Sequence, residues 1–354
     1  MTETKLVEKR VCENNTKSIV KNETNLKNYK HGKFLWFEFE TELKWYNITL
    51  LSIFHILFLY GVLTYSYGLN WRTLCAVIWF FGYGLFGGFG VTGGAHRYWT
   101  HRSYKANLIW RYILMCCFAA SGQNTLYDWV RDHRVHHKYS ETPADPHDAT
   151  RGFFFAHCGW LMMKKRPEVI EKGREVDLSD VLECPVAQFH QRHFTLLRYI
   201  FSYIIPVIVP KFVWNDTWHD AIFFGGFARM VFGLNAAWLV NSAAHIWGNR
   251  PYDRRINPRE NLFVSILDMG EGWHNYHHTF PWDYKAAEFG FYPYNWTTFW
   301  IDLASKLGWV TNRKKASQKI INNTIQKYGD GSHIEHHYML EVAEEEDKWR
   351  DKTE

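Results

Sequence analysis

Histidine is concentrated in four short stretches of this chain of 354 residues. Two stretches share the spacing HxxHH: "HRVHH" starts at His133 and "HNYHH" starts at His274. The other two are "HRYWTH", which starts at His96, and "NSAAH", which ends at His245. Imidazole nitrogen is a common ligand for iron, copper, nickel and zinc. The clusters therefore predict a transition-metal site.

The HxxHH spacing favours two metals over one. On a helix, positions i and i+3 share a face, whereas positions i+3 and i+4 differ by about 100°. Each repeat can therefore direct two imidazoles to one point and the third to another. Together with the HRYWTH pair and His245, the repeats could surround two metal ions. Asn241, one helical turn before His245, could bind a metal directly or through water.

Zinc and haem fit this pattern poorly. Structural zinc is closed by four ligands and commonly includes cysteine. The HExxH helix that marks many catalytic zinc sites is absent from the sequence. Haem would need one or two axial histidines inside a helix bundle. We therefore expect neither a structural zinc site nor a haem.

Composition narrows the class of protein. The formal net charge is +5 and 22% of residues are charged, a balance that points to no nucleic-acid partner. Six cysteines show no CxxC pair, which indicates free thiols in a reducing compartment. The polar N-terminus shows no cleavable signal peptide.

Four apolar stretches reach or approach the roughly 20 residues that cross a bilayer. They cover 46–66, 73–95, 196–214 and 221–244. The last two are weaker, because one holds two prolines and the other holds Arg229 and Asn235. The alternative is that these two are buried core helices. Against it, the stretches form two hairpins with short connections, which favours four membrane spans.

The basic residues predict the orientation of these spans. Segment 1–45 carries nine Lys or Arg residues, whereas the turn 67–72 carries only Arg72 and the turn 215–220 carries none. Basic residues are enriched on the cytosolic side. Both termini and the block between the hairpins are therefore expected in the cytosol. All four histidine clusters then lie on that side, since HRYWTH and NSAAH stand at or next to the cytosolic ends of spans.

The predicted fold is an all-α integral membrane protein with four transmembrane helices in two hairpins and a cytosolic helical cap that carries a histidine-rich site for two metal ions. The expected divisions are an N-terminal arm (1–45), the first hairpin (46–95), the first part of the cap (96–195), the second hairpin (196–244), the second part of the cap (245–331) and a polar tail (332–354).

The remaining histidines are interpreted as ordinary. "HIEHH" (His333, His336, His337) also has the HxxHH spacing, but it lies near an acidic run at the end of the chain. It is interpreted as part of a solvated tail. The others are read as surface or packing residues: His31, His55, His147, His157, His190, His193 and His219.

In chain order, "HRYWTH", "DHRVHHKYSET", "NSAAHIWG" and "GEGWHNYHHTFPWDY" resemble the motifs of the membrane-bound acyl-CoA desaturases of animals, the stearoyl-CoA desaturase-like enzymes. "DPHDATRGFFFAHCGW" and "RPYDRRINPRENLFVS" belong to the same resemblance, which runs from about Trp45 to about Gly331. It implies an endoplasmic reticulum protein with two non-haem irons. It further implies that O2 and electrons from cytochrome b5, supplied by an NADH-dependent reductase, remove two hydrogens from a fatty acyl-CoA.

The resemblance also implies the site residues. The iron ligands would be His96, His101, His133, His136, His137, His245, His274, His277 and His278, with Asn241 joining through a water. The coenzyme-A contacts would be Asn47, Asn124, Arg131, Asp132, Trp238, Lys164 and Lys165. No catalytic residue is expected beyond the metal ligands. Some relatives have arginine where Lys164 stands, and lysine lacks the two-pronged phosphate contact of arginine.

Chemistry agrees with this assignment. An unactivated methylene has no acidic proton, so acid–base catalysis cannot remove its hydrogens. A redox-active metal that uses O2 is required, and zinc is redox-inert. Such chemistry also needs a site from which water is excluded. The many aromatic residues near the clusters, such as Trp129 and Trp273, could form its walls.

Glycines in the second apolar stretch admit two interpretations. The pairs Gly84/Gly88 and Gly90/Gly94 have the GxxxG spacing of closely packed membrane helices. The alternative hypothesis is that Gly84 and Gly88 leave the far end of an acyl tunnel open.

Three other classes of function remain open at this point. An acyl hydroxylase or a sphingolipid desaturase would begin with the same hydrogen abstraction. A metal-binding membrane scaffold would hold the metals without turnover. A zinc hydrolase would act without O2 or reductant. The position and geometry of the double bond, the preferred chain length and the oligomeric state are not predicted.

Overall fold

The computed structural model describes residues 32–34, 37–288 and 294–333. Within these residues the chain is mostly helical, as predicted, with two small antiparallel sheets. One pairs β1 (Gly32–Phe34) with β2 (Phe37–Phe39), and the other pairs β3 (Lys105–Ala106) with β4 (Val310–Thr311).

The described part of the chain contains fourteen helices. In chain order they are α1 (Trp45–Thr64), α2 (Trp71–Thr100), α3 (Leu108–Ala120), α4 (Leu126–Tyr139), α5 (Phe153–His157), α6 (Pro167–Glu175), α7 (Ser179–Leu182), α8 (Pro185–Arg192), α9 (Phe194–Val213), α10 (Trp218–Ile246), α11 (Leu262–Leu267), α12 (His274–Thr279), α13 (Trp296–Lys306) and α14 (Gln318–Tyr328). Two short 3-10 turns, Ala149–Arg151 and Gly159–Met162, flank α5.

Helices α1, α2, α9 and α10 are long and apolar enough to cross a membrane. Only Gly61 is buried in α1, so this helix presents apolar side chains on almost every side. Helix α9 likewise exposes Leu196, Tyr199, Ile204 and Phe212. Such exposure fits helices surrounded by lipid and contradicts buried core helices. The prediction of four spans is confirmed, and the chain is a multi-pass membrane protein.

A close backbone contact joins the two hairpins. A side chain at Gly61 would place its Cβ only 2.3 Å from the carbonyl oxygen of Phe223. Glycine therefore lets α1 lie directly against α10.

The cap packs around the inner end of α2. Its largest apolar cluster includes Leu114 and Phe118 of α3, Val130 of α4 and Ile301 of α13, which are all buried. Ala95, from the last turns of α2, belongs to the same cluster. The end of the second span is thus fixed inside the cap.

Candidate metal centre

A change of helix type explains the HRYWTH spacing. Residues Gly90–Thr100, at the end of α2, are π-helical, and this backbone pattern continues when His101 N–H donates to the His96 carbonyl 3.1 Å away. In a π-helix the residue five positions on is the hydrogen-bonded neighbour, so it lies almost above the first. The His96 and His101 rings are consequently 4.9 Å apart, centroid to centroid.

The two HxxHH repeats lie on α4 and α12 and behave alike. In each, the first and last histidines face together, with ring centroids 4.7 Å apart for His133 and His137 and 4.5 Å apart for His274 and His278. The middle histidine of each repeat points to the other group of ligands. The spacing predicted that each repeat would direct two imidazoles to one point and the third to another. The structure shows that the two are the first and last histidines, which are four positions apart.

Helix α12 has only six residues, so hydrogen bonds from outside fix its direction. The Asn275 side chain donates to the carbonyls of Asp253 and Pro258 at 3.0 and 2.9 Å. The Glu260 carboxylate accepts from the Tyr276 N–H at 2.8 Å. These bonds hold the three histidines of α12 toward the interior.

The nine predicted histidine ligands form two neighbouring groups. In each group one ligand nitrogen per residue lies within 4.8 Å of all the others. His137 and His278 stack between the groups with ring centroids 4.1 Å apart. One group contains His96, His101, His133, His137 and His277, and the other contains His136, His245, His274 and His278.

The spacing of the nitrogens fits metal ligation. The Nε2 atom of His277 lies 2.9 Å from His96 Nε2 and 3.0 Å from His137 Nε2. His274 Nε2 lies 2.9 Å from His245 Nε2 and 3.1 Å from His278 Nε2. Two nitrogens about 2.1 Å from one metal and at right angles are about 3.0 Å apart, the separation observed here.

Orphaned atoms in the same place support this interpretation. The buried Nε2 atoms of His101, His133 and His136 have no hydrogen-bond partner in the described part of the chain. Buried polar atoms are normally paired, because an unpaired one costs about 1–3 kcal/mol. A metal ion at each group would satisfy these nitrogens.

Three histidines of the two HxxHH repeats are held neutral. Burial lowers the pKa of His133, His274 and His277 well below the usual value, and repulsion from neighbouring imidazoles lowers it further. A neutral imidazole keeps the lone pair that a metal needs. The site is therefore ready to bind cations near neutral pH.

Carboxylates face the other ring nitrogen of three ligands. The Nδ1 atoms of His96, His136 and His245 lie 2.8 Å from Glu271, 3.0 Å from Asp145 and 2.8 Å from Glu141, respectively. A carboxylate at Nδ1 fixes the proton there and leaves Nε2 for the metal.

Glu271 is itself held by a buried arginine. The Arg97 guanidinium donates to Glu271 Oε1 from two nitrogens, at 2.8 and 3.0 Å. Burial acts to raise the pKa of Glu271, but the charge and the hydrogen bonds of Arg97 outweigh it and keep the pKa below the usual value. Glu271 therefore faces His96 as a carboxylate.

These three carboxylates were missed from the sequence. The signal was present: Glu271 stands three positions before His274, and both Glu141 and Asp145 follow HRVHH closely. Nothing in composition, however, separates such residues from solvated acids.

Two of the histidines that were interpreted as ordinary have other surroundings. His147 is buried, its ring lies 4.2 Å from that of His136, and it could join His136 and Asp145 around a cation. His333 was predicted to be solvated, which is wrong: it is buried and bonds Glu288 at 2.8 Å. His336 and His337 lie outside the described residues.

A cavity of ≈ 270 Å³ leads to the ligand groups. His96, His133 and His274 form part of its wall, and Asn241 lies in the same wall. Its apolar lining includes Trp129, Trp160 and Trp238, together with Leu50, Leu51 and Phe54 from α1. The role of Asn241 as a ligand through water stays a prediction.

A second cavity of ≈ 250 Å³ adjoins the first. Val91, Gln123, Ala237 and Asp268 line both, which places the junction beside the ligand groups. The rest of its wall is largely apolar and includes Phe80, Phe81, Gly84, Leu85, Gly88 and Phe232.

The predicted substrate contacts are near the first cavity. Asn47, Asn124, Asp132 and Trp238 line it, and Asn47 also donates to the Leu161 carbonyl at 2.7 Å. Arg131 pairs with Asp132 at 2.9 Å, and Lys165 contacts the same carboxylate. Lys164 contacts Glu42 at the surface. Substrate binding by these residues stays a prediction.

Comparison with known proteins identifies the family. The family model described as "Fatty acid desaturase" matches residues 69–287. The chain is 47% identical over 296 residues to the Acyl-CoA Delta-9 desaturase of Acheta domesticus, covering 83% of this chain and 81% of the relative. It is 48% identical over 295 residues to the Acyl-CoA desaturase of Cyprinus carpio, covering 83% and 88%. The Acyl-CoA Delta12-desaturase of Acheta domesticus is 43% identical over 307 residues, covering 86% and 84%.

The chain belongs to the fatty acid desaturase family. The resemblance inferred from the histidine motifs is confirmed, and so is the prediction of an enzyme of the acyl-CoA desaturase type. Two of the relatives are named for different double-bond positions and match this chain at 47% and 43% identity. Overall similarity therefore does not decide the position in this desaturase.

Proposed function

We propose that this desaturase inserts a double bond into a long-chain fatty acyl-CoA, using O2 and two iron ions. We further propose that electrons come from cytochrome b5 and its NADH-dependent reductase, and that the protein resides in the endoplasmic reticulum with both termini in the cytosol. The observation that carries the proposal is the two histidine groups beside two adjoining, largely apolar cavities.

Redox chemistry at the two groups is supported by their ligands. Nine imidazoles suit iron by ligand type. Bound iron would supply the electron-transfer chemistry with O2 that removes hydrogens from an unactivated methylene. Each turnover would take two hydrogens from the chain and two electrons and two protons from outside, and O2 would leave as two waters.

The polypeptide would bind and orient the substrate and exclude water from the site. The first cavity would bind the acyl chain near its thioester, with Asn47 and Asn124 as polar contacts. Arg131 and Lys165 lie beside its wall and would attract the anionic coenzyme-A head. Trp129 and Trp238 exclude water next to the ligand groups. Glu271 keeps the His96 proton on Nδ1, so that Nε2 faces the reacting centre.

Expression in a yeast strain without its own desaturase tests this function. The chain is expected to restore growth without added unsaturated fatty acid. Gas chromatography of the lipids after derivatisation of double bonds would then give position and chain length together. His277→Ala, expressed to the same level, is the matched control and is expected to fail.

The rival functions give different results in the same strain. A hydroxylase would yield hydroxy acids, and a sphingolipid desaturase would alter long-chain bases instead of fatty acids. A zinc hydrolase would act under anaerobic conditions. A metal-binding scaffold would leave the lipid profile unchanged, and this outcome would refute the proposal.

A further inference from the structure

One carboxyl group stands in the wall that the two cavities share. Asp268 directly follows α11 and is only 6% exposed. It lines both cavities, at the junction beside the ligand groups. Its neighbours in this part of the wall include the apolar Val91 and Ala237.

The Asp268 carboxyl makes no hydrogen bond or ion pair with another side chain in the described part of the chain. Its backbone is bonded, since its N–H donates to the Val264 carbonyl at 2.8 Å. Arg97, a nearby cation, is already bonded to Glu271. Burial and the negative charge of Glu271 raise the pKa of Asp268 to about 8. In its protonated form the carboxyl offers both an O–H donor and a carbonyl acceptor.

Other polar groups of the second cavity differ from Asp268 because they are already bonded. Arg229 donates to the carbonyls of Gly225 and Ser202 at 3.3 and 3.1 Å. Gln123 accepts from the Trp129 indole at 2.8 Å. An unpaired buried carboxyl in a largely apolar passage is costly unless a ligand or water bonds to it.

We propose that Asp268 is a specificity-determining residue that selects acyl chains carrying a hydroxyl group just beyond the carbons to be oxidised. The inference rests on the proposed acyl-CoA desaturase function. A chain that enters by the first cavity passes the ligand groups and then Asp268 before it fills the second cavity.

The preference follows from the hydrogen bonds available. A saturated chain displaces water from the carboxyl and gives no hydrogen bond in return, so Asp268 stays unpaired. A hydroxyl at the right carbon can donate to the carbonyl oxygen and accept from the O–H. Sites that bond a substrate hydroxyl discriminate against analogues that lack it for this reason.

Equilibrium binding tests the proposal without turnover. The metal-loaded full chain, without reductant, is titrated with stearoyl-CoA and with analogues that carry one hydroxyl at successive carbons of the distal half. One position is expected to bind on the order of three- to tenfold more tightly than stearoyl-CoA. Asp268→Ala should abolish this preference, whereas Asp268→Asn should retain it because the amide also donates and accepts.

Val264→Ala, a buried change in the same helix that lines neither cavity, is the matched control and should keep the wild-type preference. The inference is overturned if no hydroxylated analogue binds more tightly, if the preference survives in Asp268→Ala, or if Asp268→Asn loses it. Failure of the proposed function would appear separately, as the absence of any double bond in the yeast lipids.

Discussion

At the scale of single residues, the paired carboxylates decide what the imidazoles can do. A neutral histidine can carry its proton on either of its two ring nitrogens, and a neighbouring group can fix the proton on one of them. Glu271, Asp145 and Glu141 face the Nδ1 atoms and thereby leave Nε2 free for a cation. The sequence predicted the ligands because histidines are rare and clustered. It did not predict their partners, because an acidic residue in a loop has the same local pattern whether it is buried or solvated.

Glu271→Gln should weaken the metal centre while keeping the fold. The amide has the size of the carboxyl and still accepts from Arg97, but it no longer bears the charge that fixes the His96 proton. We expect metal affinity to fall on the order of 10- to 100-fold, measured as iron retained against chelators of increasing strength.

Glu168→Gln, an exposed change at the start of α6, should retain wild-type iron. Equal retention in Glu271→Gln would show that the carboxylate does not position His96.

His190, which lies away from the metal centre, should make the stability of the fold depend on pH. It is buried between Phe118 and Phe194, and its Nδ1 accepts from the Leu126 N–H at 3.4 Å. Burial lowers its pKa to about 4. Because the folded pKa lies below the unfolded value of about 6.5, His190 contributes full stability above about pH 6.5 and loses it as the pH falls toward 4.

The expected loss from His190 is about 1.4 kcal/mol per pH unit inside this window. Unfolding of the metal-loaded protein in detergent, followed at several pH values, would measure it. His190→Phe should reduce the slope, and a slope that is unchanged in this variant would contradict the assignment.

At the scale of helices, the end of α2 explains features that the sequence alone could not decide. The four spans were predictable because apolar length is a local property. The π-helical turns were not, since an HxxxxH pair is compatible with an ordinary helix whose histidines diverge. The two GxxxG pairs also differ in how closely they pack. Gly90 touches α3, whereas a Cβ at Gly84 would meet no atom within 4 Å.

Gly90→Ala should destabilise the fold. Its Cβ would lie 2.0 Å from the Phe118 backbone nitrogen, so α2 and α3 would have to separate. Overpacking of this kind costs about 1–3 kcal/mol. A lower unfolding temperature in detergent is the expected result.

Gly84→Ala, on the same helix, is the control and should change stability by less than about 0.5 kcal/mol. If both variants unfolded at the wild-type temperature, the close approach of α2 and α3 would be in doubt.

Gly88→Leu should shift the chain-length preference toward shorter acyl chains. Gly88 lines the second cavity, and a Cβ there would lie 3.2 Å from Met269 Sδ, so a leucine would project into the space for the distal chain. Competition between palmitoyl-CoA and stearoyl-CoA would measure the shift.

Val77→Leu, an exposed change on the same helix, should leave the chain-length preference unaltered. Unchanged selectivity in Gly88→Leu would remove Gly88 from the substrate path.

At the scale of the whole molecule, the metal ligands join both hairpins to both parts of the cap. They come from α2, α4, α10 and α12 and from His101, just after α2. The sequence predicted that these elements surface on one side of the membrane. It could not predict how the two cavities meet, because that depends on side chains from distant segments such as Asp268 and Ala237.

Removal of metal should therefore loosen the entire cap. A cation that binds only the folded chain adds about 4 kcal/mol of stability when present a thousandfold above its dissociation constant. Chelation is expected to lower the unfolding temperature in detergent, and added iron should restore it.

His277→Ala removes one ligand and should reduce the restoration. His193→Ala, outside both ligand groups, should behave as wild type. An unfolding temperature that is indifferent to chelator would contradict the binding of cations by the folded histidine groups.

The distribution of ligands along the chain also sets an order of events during biosynthesis. A nascent polypeptide that has emerged only as far as the second hairpin presents His96 to His137, but four of the nine imidazoles still await translation, and His278 is the last. Neither cluster is complete before His277 has been made, since His277 belongs to one cluster and His278 to the other. Binding of metal at both clusters would consequently be a late step, completed only after the final span has been synthesised.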